Sequence, residues 1–207
     1  VAAGDTLKAA AGDYVEAPST VAAGSVGNPI TVDGQGGARL LGQFLVLDPY
    51  FNVYGWTFRS NRVFMARAAD NCILSNNVFD GVFRLTSQLL QFDTSDATQF
   101  GDAANDCLVI SNVFEHGMGT YAIQVTGDRT VVRGNTFRDS DAIDWWRIWG
   151  RSNTFVGNIC TNVFESGGNG NHPDLVQSFG LAGTGANHIQ IASNIFMHSE
   201  GAAQLCM

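Results

Sequence analysis

Lysine is almost missing from this chain. Of its eleven lysines and arginines only Lys8 is a lysine, in 207 residues with a formal net charge of −8. An acidic surface repels polyanions, so nucleic acid is not an expected partner. An acidic polysaccharide stays open if a cation such as calcium bridges the carboxylates, and a neutral glycan needs no bridge. No apolar run approaches the ~18 residues of a membrane-spanning helix, so membrane insertion is not expected. Four cysteines are too few for a disulfide framework, and no Cys–His spacing suggests zinc. Prolines number only 4 against 24 glycines, as where many turns alternate with short strands. The chain opens on Val1 rather than Met and reads as processed or excerpted, so the lack of a signal peptide excludes nothing.

What is present is a short repeated phrase, an Asn, one residue and an aromatic. It reads Asn77-Val78-Phe79, Asn112-Val113-Phe114, Asn135-Thr136-Phe137 and Asn194-Ile195-Phe196. Asn158-Ile159-Cys160 is a degenerate copy, and Trp56-Thr57-Phe58 lacks the Asn. The anchors at 58, 79, 114, 137, 160 and 196 are 21, 35, 23, 23 and 36 residues apart. Two of these steps equal one unit plus an insertion, near residues 93–105 and 165–173. A period in the twenties marks a solenoid, each unit burying its apolar face on its neighbours. Leucine-rich repeats share the period but need Leu at fixed offsets, which are absent.

The columns set the register. Five residues before the anchors stand Val53, Leu74, Val109, Val132, Phe155 and Ile191, an apolar column that points inward. Three before stand small or polar residues that suit a bend. The Asn column follows; Asn tolerates left-handed backbone and fits a tight turn, where stacked amides can bond along the coil. The expected fold is all-β: a right-handed, single-stranded parallel β-helix of about six coils, one domain over residues 1–207. Ala202 to Met207 reads as a strand with nothing after it, so the solenoid would continue or be capped by a partner. Cys72 and Cys107 stack on adjacent coils, either as reduced core thiols or, as a minority reading, as a disulfide.

Gly4-Asp5-Thr6-Leu7, Ala11-Gly12-Asp13-Tyr14-Val15-Glu16 and Gly27-Asn28-Pro29-Ile30-Thr31-Val32 resemble the opening of right-handed parallel β-helix proteins. That superfamily includes pectate-lyase-like and alginate- and chondroitin-lyase-like enzymes, with phage tailspikes and adhesins. The later Asn-x-Phe turns are similar to its Asn ladders. The resemblance implies a secreted protein, or one on a cell or virion surface, that handles polysaccharide. The catalytic motifs of pectate lyases and polygalacturonase-type hydrolases do not match this chain, and fold alone does not give function.

Candidate site residues come from the strand after each Asn turn. Gln91, Gln124, Arg147, Gln177 and Gln204 share one place and, by strand alternation, form one outward column. Alternation also turns Trp145 and Trp149 outward beside Arg147. The trio reads as a sugar-stacking platform with Gln124 and Gln177 at its sides; the alternatives are burial under the insertion before His172, or an oligomer contact. Asp144 and Asp174 each stand three residues before their column residue. Two carboxylates on adjacent coils suit a bound calcium or an acid/base pair, and turn formation is the bland alternative. Asp93, Asp96, Asp102 and Asp106 read as a solvated loop or a second calcium site.

Three functions follow. The first is a polysaccharide lyase on an acidic glycan: Arg147 or His172 takes the proton, and Asp144 and Asp174 hold the calcium. A glycosidase using the Asp pair is its variant. The second is a non-catalytic glycan-binding or adhesion module. The third is a structural viral spike or fibre, homotrimeric through an outer face.

Overall fold

The computed structural model describes residues 1–59, 63–65, 68–81, 83–92, 104–141, 143–164, 174–178, 186–199 and 204–206. Every regular element among them is a strand, and every strand-to-strand pairing is parallel. Each coil of this parallel β-helix contributes a short strand to each of three faces. The first face stacks Ile73–Ser75, Leu108–Ile110, Val131–Arg133, Thr154–Val156 and Gln190–Ala192. The second stacks Val78–Asp80, Val113–Glu115, Thr136–Asp141, Ile159–Phe164 and Ile195–Ser199. The third stacks Phe44–Val46, Val63–Met65, Phe83–Phe92, Met118–Val125, Asp144–Ile148, Asp174–Gln177 and Gln204–Cys206. The pairings reach below the Trp56 rung. Phe51–Arg59 pairs with Ile30–Leu40, and that strand pairs with Thr6–Lys8 and Gly12–Tyr14. Among the described residues no helix is long and apolar enough to cross a membrane.

The interior follows from the repeat. Phe58, Phe79, Phe114 and Phe137 are buried and stack ring on ring, with centroids 5.1, 4.5 and 4.7 Å apart. Val53, Leu74, Val109, Val132 and Phe155 form the buried column of the first face. At Cys160 the phenylalanine stack breaks, because a thiol fills less volume than a ring. Trp146 from the third face fills the gap, 4.8 Å from the Phe155 ring and 5.5 Å from Phe196.

Between the first two faces the asparagines carry the turn. Asn112 Oδ1 accepts from the backbone N (2.9 Å) and the Nδ2 (3.1 Å) of Asn77. Asn112 Nδ2 in turn donates to Leu74 O and to Asn135 Oδ1. Asn135, Asn158 and Asn194 repeat the pattern. The expected left-handed backbone does not fall on these residues. It falls one position earlier, on Gly55, Asn76, Ser111, Gly134, Gly157 and Ser193, with φ between 53 and 70°. The asparagines are therefore suited to their place by their amides and not by their backbone.

Cys72, Cys107 and Cys160 are buried free thiols. Burial pushes Cys72 up to about 12 and raises Cys107 and Cys160 as well. The insertions at 93–103 and 165–173, with Asp93, Asp96, Asp102 and His172, lie outside the described residues.

Replacing Asn112 by Ala orphans the buried Asn77 N–H and removes the Asn112 amide's bonds to Leu74 O and Asn135 Oδ1. The expected loss is about 3 kcal/mol or more in urea unfolding. Thiolate is the reactive form, so iodoacetamide at mildly alkaline pH should leave Cys72, Cys107 and Cys160 unmodified until denaturant is added, as read by peptide mass mapping.

Candidate functional site on the third face

The register of the third face aligns Gln91, Gln124, Arg147 and Gln177 in one column, as their spacing predicts. Gln204 departs from it. The ladder shifts between Asp174 and Val176, so Gln204 pairs with Asp174, and Cys206 stands opposite Gln177.

Arg147 is the centre of this face. Its Nε donates to Asp144 Oδ2 at 2.7 Å, and Nη2 reaches the same oxygen at 2.7 Å. The guanidinium carbon lies 4.8 Å from the centroid of the Tyr121 ring, one coil below, a cation–π contact. Its side chain is 19% exposed, and among the described residues no acceptor sits on Nη1. Asp144 Oδ1 accepts from the backbone N of Asp174 at 2.9 Å. Asp174 Oδ2 accepts from Gln177 Nε2 at 3.0 Å. Asp144–Arg147 and Asp174–Gln177 are thus the same three-residue bridge on successive coils, charged in one and neutral in the next. Burial pushes the Asp144 carboxyl above its ordinary value, and the neighbouring Asp174 carboxylate adds to that rise. The Asp174 amide and Arg147 pull the other way without cancelling it.

Two expectations change here. Trp145 and Trp149 do not form an outward platform: Trp145 is fully buried and Trp149 is 8% exposed. Strict alternation fails because Asp144, Trp145 and Trp146 are buried in succession. The room left at Cys160 admits Trp146, and Trp145 packs 5.6 Å from the Phe137 ring. Burying two indoles outweighs a regular strand. The same irregularity brings Asp144 onto Arg147, where alternation alone would have turned it inward. The Asp144 and Asp174 carboxylates therefore face protein donors. A calcium on Asp144 would sit against a guanidinium already bonded there, so the pair is a poor cation site.

A second charged group, on the second face, escaped the sequence reading. Arg59, Asp80, Glu115 and Arg138 each follow an anchor by one residue and stack outward in register. Asp80 bonds Arg59 at 3.0 Å and His116 Nδ1 at 3.0 Å, and Glu115 takes Arg138 Nε at 2.8 Å. Asp80, Glu115 and His116 place three donor atoms within 4.8 Å of one another, a possible metal-binding triad. Each carboxylate already holds an arginine, and one donor is an imidazole. Calcium prefers an all-oxygen shell, so this set also matches it poorly. Asp106, the described member of the loop cluster, is held below the usual carboxylate range by Arg129, which bonds both its oxygens.

No protein-family model matches the chain, and no curated protein matches it. Solved structures do resemble it. Alginate lyase from Paenibacillus sp. str. FPU-7 is 15% identical, with a TM-score of 0.49, over 98% of this chain and 93% of that one. A mannuronic acid specific polysaccharide family 6 lyase from human gut microbiota is 12% identical, with a TM-score of 0.35, over 99% of this chain and 72% of that one. At these identities and scores neither neighbour lends this chain a substrate or a catalytic residue.

Trp145→Ala should act on stability, costing about 3–5 kcal/mol in denaturant unfolding. Unchanged stability with lost glycan retention would restore the surface platform.

Proposed function

We propose that the chain acts on an acidic polysaccharide at the third face, as a lyase, secreted or displayed at a surface. The observation that carries this reading is Arg147: a guanidinium fixed on one edge by Asp144, braced on Tyr121, and 19% exposed. Such a group can neutralise a uronate carboxylate. Neutralising the carboxylate acidifies the adjacent C–H. A base then removes that proton, the C–O bond at the β carbon breaks with the departing oxygen taking a proton back from the protonated base or from water, and an unsaturated sugar remains.

Arginine stays protonated in proteins, so Arg147 suits carboxylate binding rather than proton abstraction. The base is then His172. Asp144 orients the guanidinium and leaves its outer edge to substrate. Gln124 and Gln177 stand one coil to either side of it. Calcium has no step in this scheme. The tryptophans that suggested an adhesion module or a trimeric spike are buried, and they support neither.

Uronate-containing glycans, incubated with the protein, should yield product absorbing as the unsaturated sugar, with or without EDTA. Arg147→Ala should lower kcat/KM about 10²–10³-fold. Arg147→Lys should restore part of it, because Lys keeps the charge but not the fork. Full turnover by Arg147→Ala would remove this face from the mechanism.

A further inference from the structure

We infer that two copies of this chain join end to end through their first coils, strand Thr6–Lys8 of one pairing antiparallel with the same strand of the other. The contact is independent of Arg147. The first coil consists of Thr6–Lys8, Gly12–Tyr14 and the bridge of Ser19 to Leu45. Among the described residues these strands pair only with the coil above. Asp5 O accepts from Thr31 N, and Ala9 N donates to Asp33 O. Asp5, Leu7 and Ala9 thus turn their backbone groups to the next strand, and Thr6 and Lys8 turn theirs to the open end. An edge of unpaired N–H and C=O groups is a template for another strand.

This edge is its own complement, which a twofold contact requires. A twofold centred on Leu7 sets Thr6 opposite the partner's Lys8, and Lys8 opposite the partner's Thr6. In both pairs each N–H meets a carbonyl, as in the hydrogen-bonded pairs of an antiparallel ladder. Leu7 then meets the partner's Leu7 on the inward side, because it begins the inward column that continues through Val32 and Val53. Leu7 is 44% exposed and Val21 88%. Both line a cavity of about 330 Å³ that reaches the buried Leu40, Phe44 and Phe58. Where a further coil follows, its inward side chains fill such a space; at this end the partner's first coil does. Charge also favours a second copy here. The charged residues among 1–22 are Asp5, Lys8, Asp13 and Glu16, and Arg39 pairs with Asp13. Lys8 offsets Asp5, which leaves Glu16 as the one uncompensated charge at this end of a chain of net charge −8. Two acidic molecules repel least through such a surface.

Sedimentation equilibrium should show the mass rising from 22.1 kDa toward twice that value as concentration increases. Lys8 is the only lysine, and across the twofold the two Lys8 residues are diagonal neighbours, ~7–8 Å apart. A short amine-reactive cross-linker should therefore give a covalent dimer whose mass-mapped peptides join Lys8 to Lys8. Thr6→Pro removes an N–H that the chain's own ladder does not use, and Leu7→Asp sets like charges opposite each other. Each should weaken dimerisation about tenfold or more and leave the far-UV circular dichroism spectrum unchanged. A mass that stays at 22.1 kDa up to the solubility limit would overturn the pairing. So would a dimer that yields no Lys8–Lys8 link and is unmoved by either variant.

Discussion

A solenoid has no distant element to close it, so every coil must be held by its neighbours alone. In this protein the buried asparagine column meets that demand at its hardest point. Strands can bond through their backbones, but beside the corner between the first two faces the asparagines are buried, where an unpaired amide or carbonyl is costly. Each asparagine side chain serves two coils there: its oxygen takes the backbone N–H below, and its nitrogen returns to a carbonyl below and an amide oxygen above. The phenylalanine stack then lies in register because the corner beside it cannot slip.

Register of that kind makes chemistry columnar. A residue type at a given offset meets the same offset on the next coil, which is how Asp70, Asn105 and Asp128 come to cap successive backbone N–H groups at another corner. It also brings Arg59, Asp80, Glu115 and Arg138 into one charged line. Exposed pairs of this sort contribute little to stability. The Arg147 face differs because its ion pair is largely buried. A guanidinium held there keeps its geometry and is little screened by salt, which suits it to reading one anion rather than attracting many.

The successive bridges, Asp144 to Arg147 and Asp174 to Gln177, show how a repeat can vary function at constant shape. The backbone, the spacing and the acceptor carboxylate stay; only the donor changes from cation to amide. The tryptophans beside them are part of the scaffold. Trp146 fills the space that Cys160 leaves and in doing so perturbs the strand that carries Arg147.

Anchor spacing, inward columns and the alignment of Gln124, Arg147 and Gln177 were legible in the sequence, because each depends on a period, and parallel stacking turns equal offsets into contact. The line of Arg59, Asp80, Glu115 and Arg138 was legible by the same rule, at the position after each anchor. The orientations of Trp145 and Asp144 were not. They depend on how much volume Cys160 leaves in the coil above, and alternation within one strand carries no record of that. The register of Gln204 failed for a related reason, a ladder shift that no spacing reveals. The sequence by itself determined a parallel coil with Arg147 between two glutamines. Only the tertiary structure decided which side chains around Arg147 are inside, because packing volume, unlike period, is shared between coils.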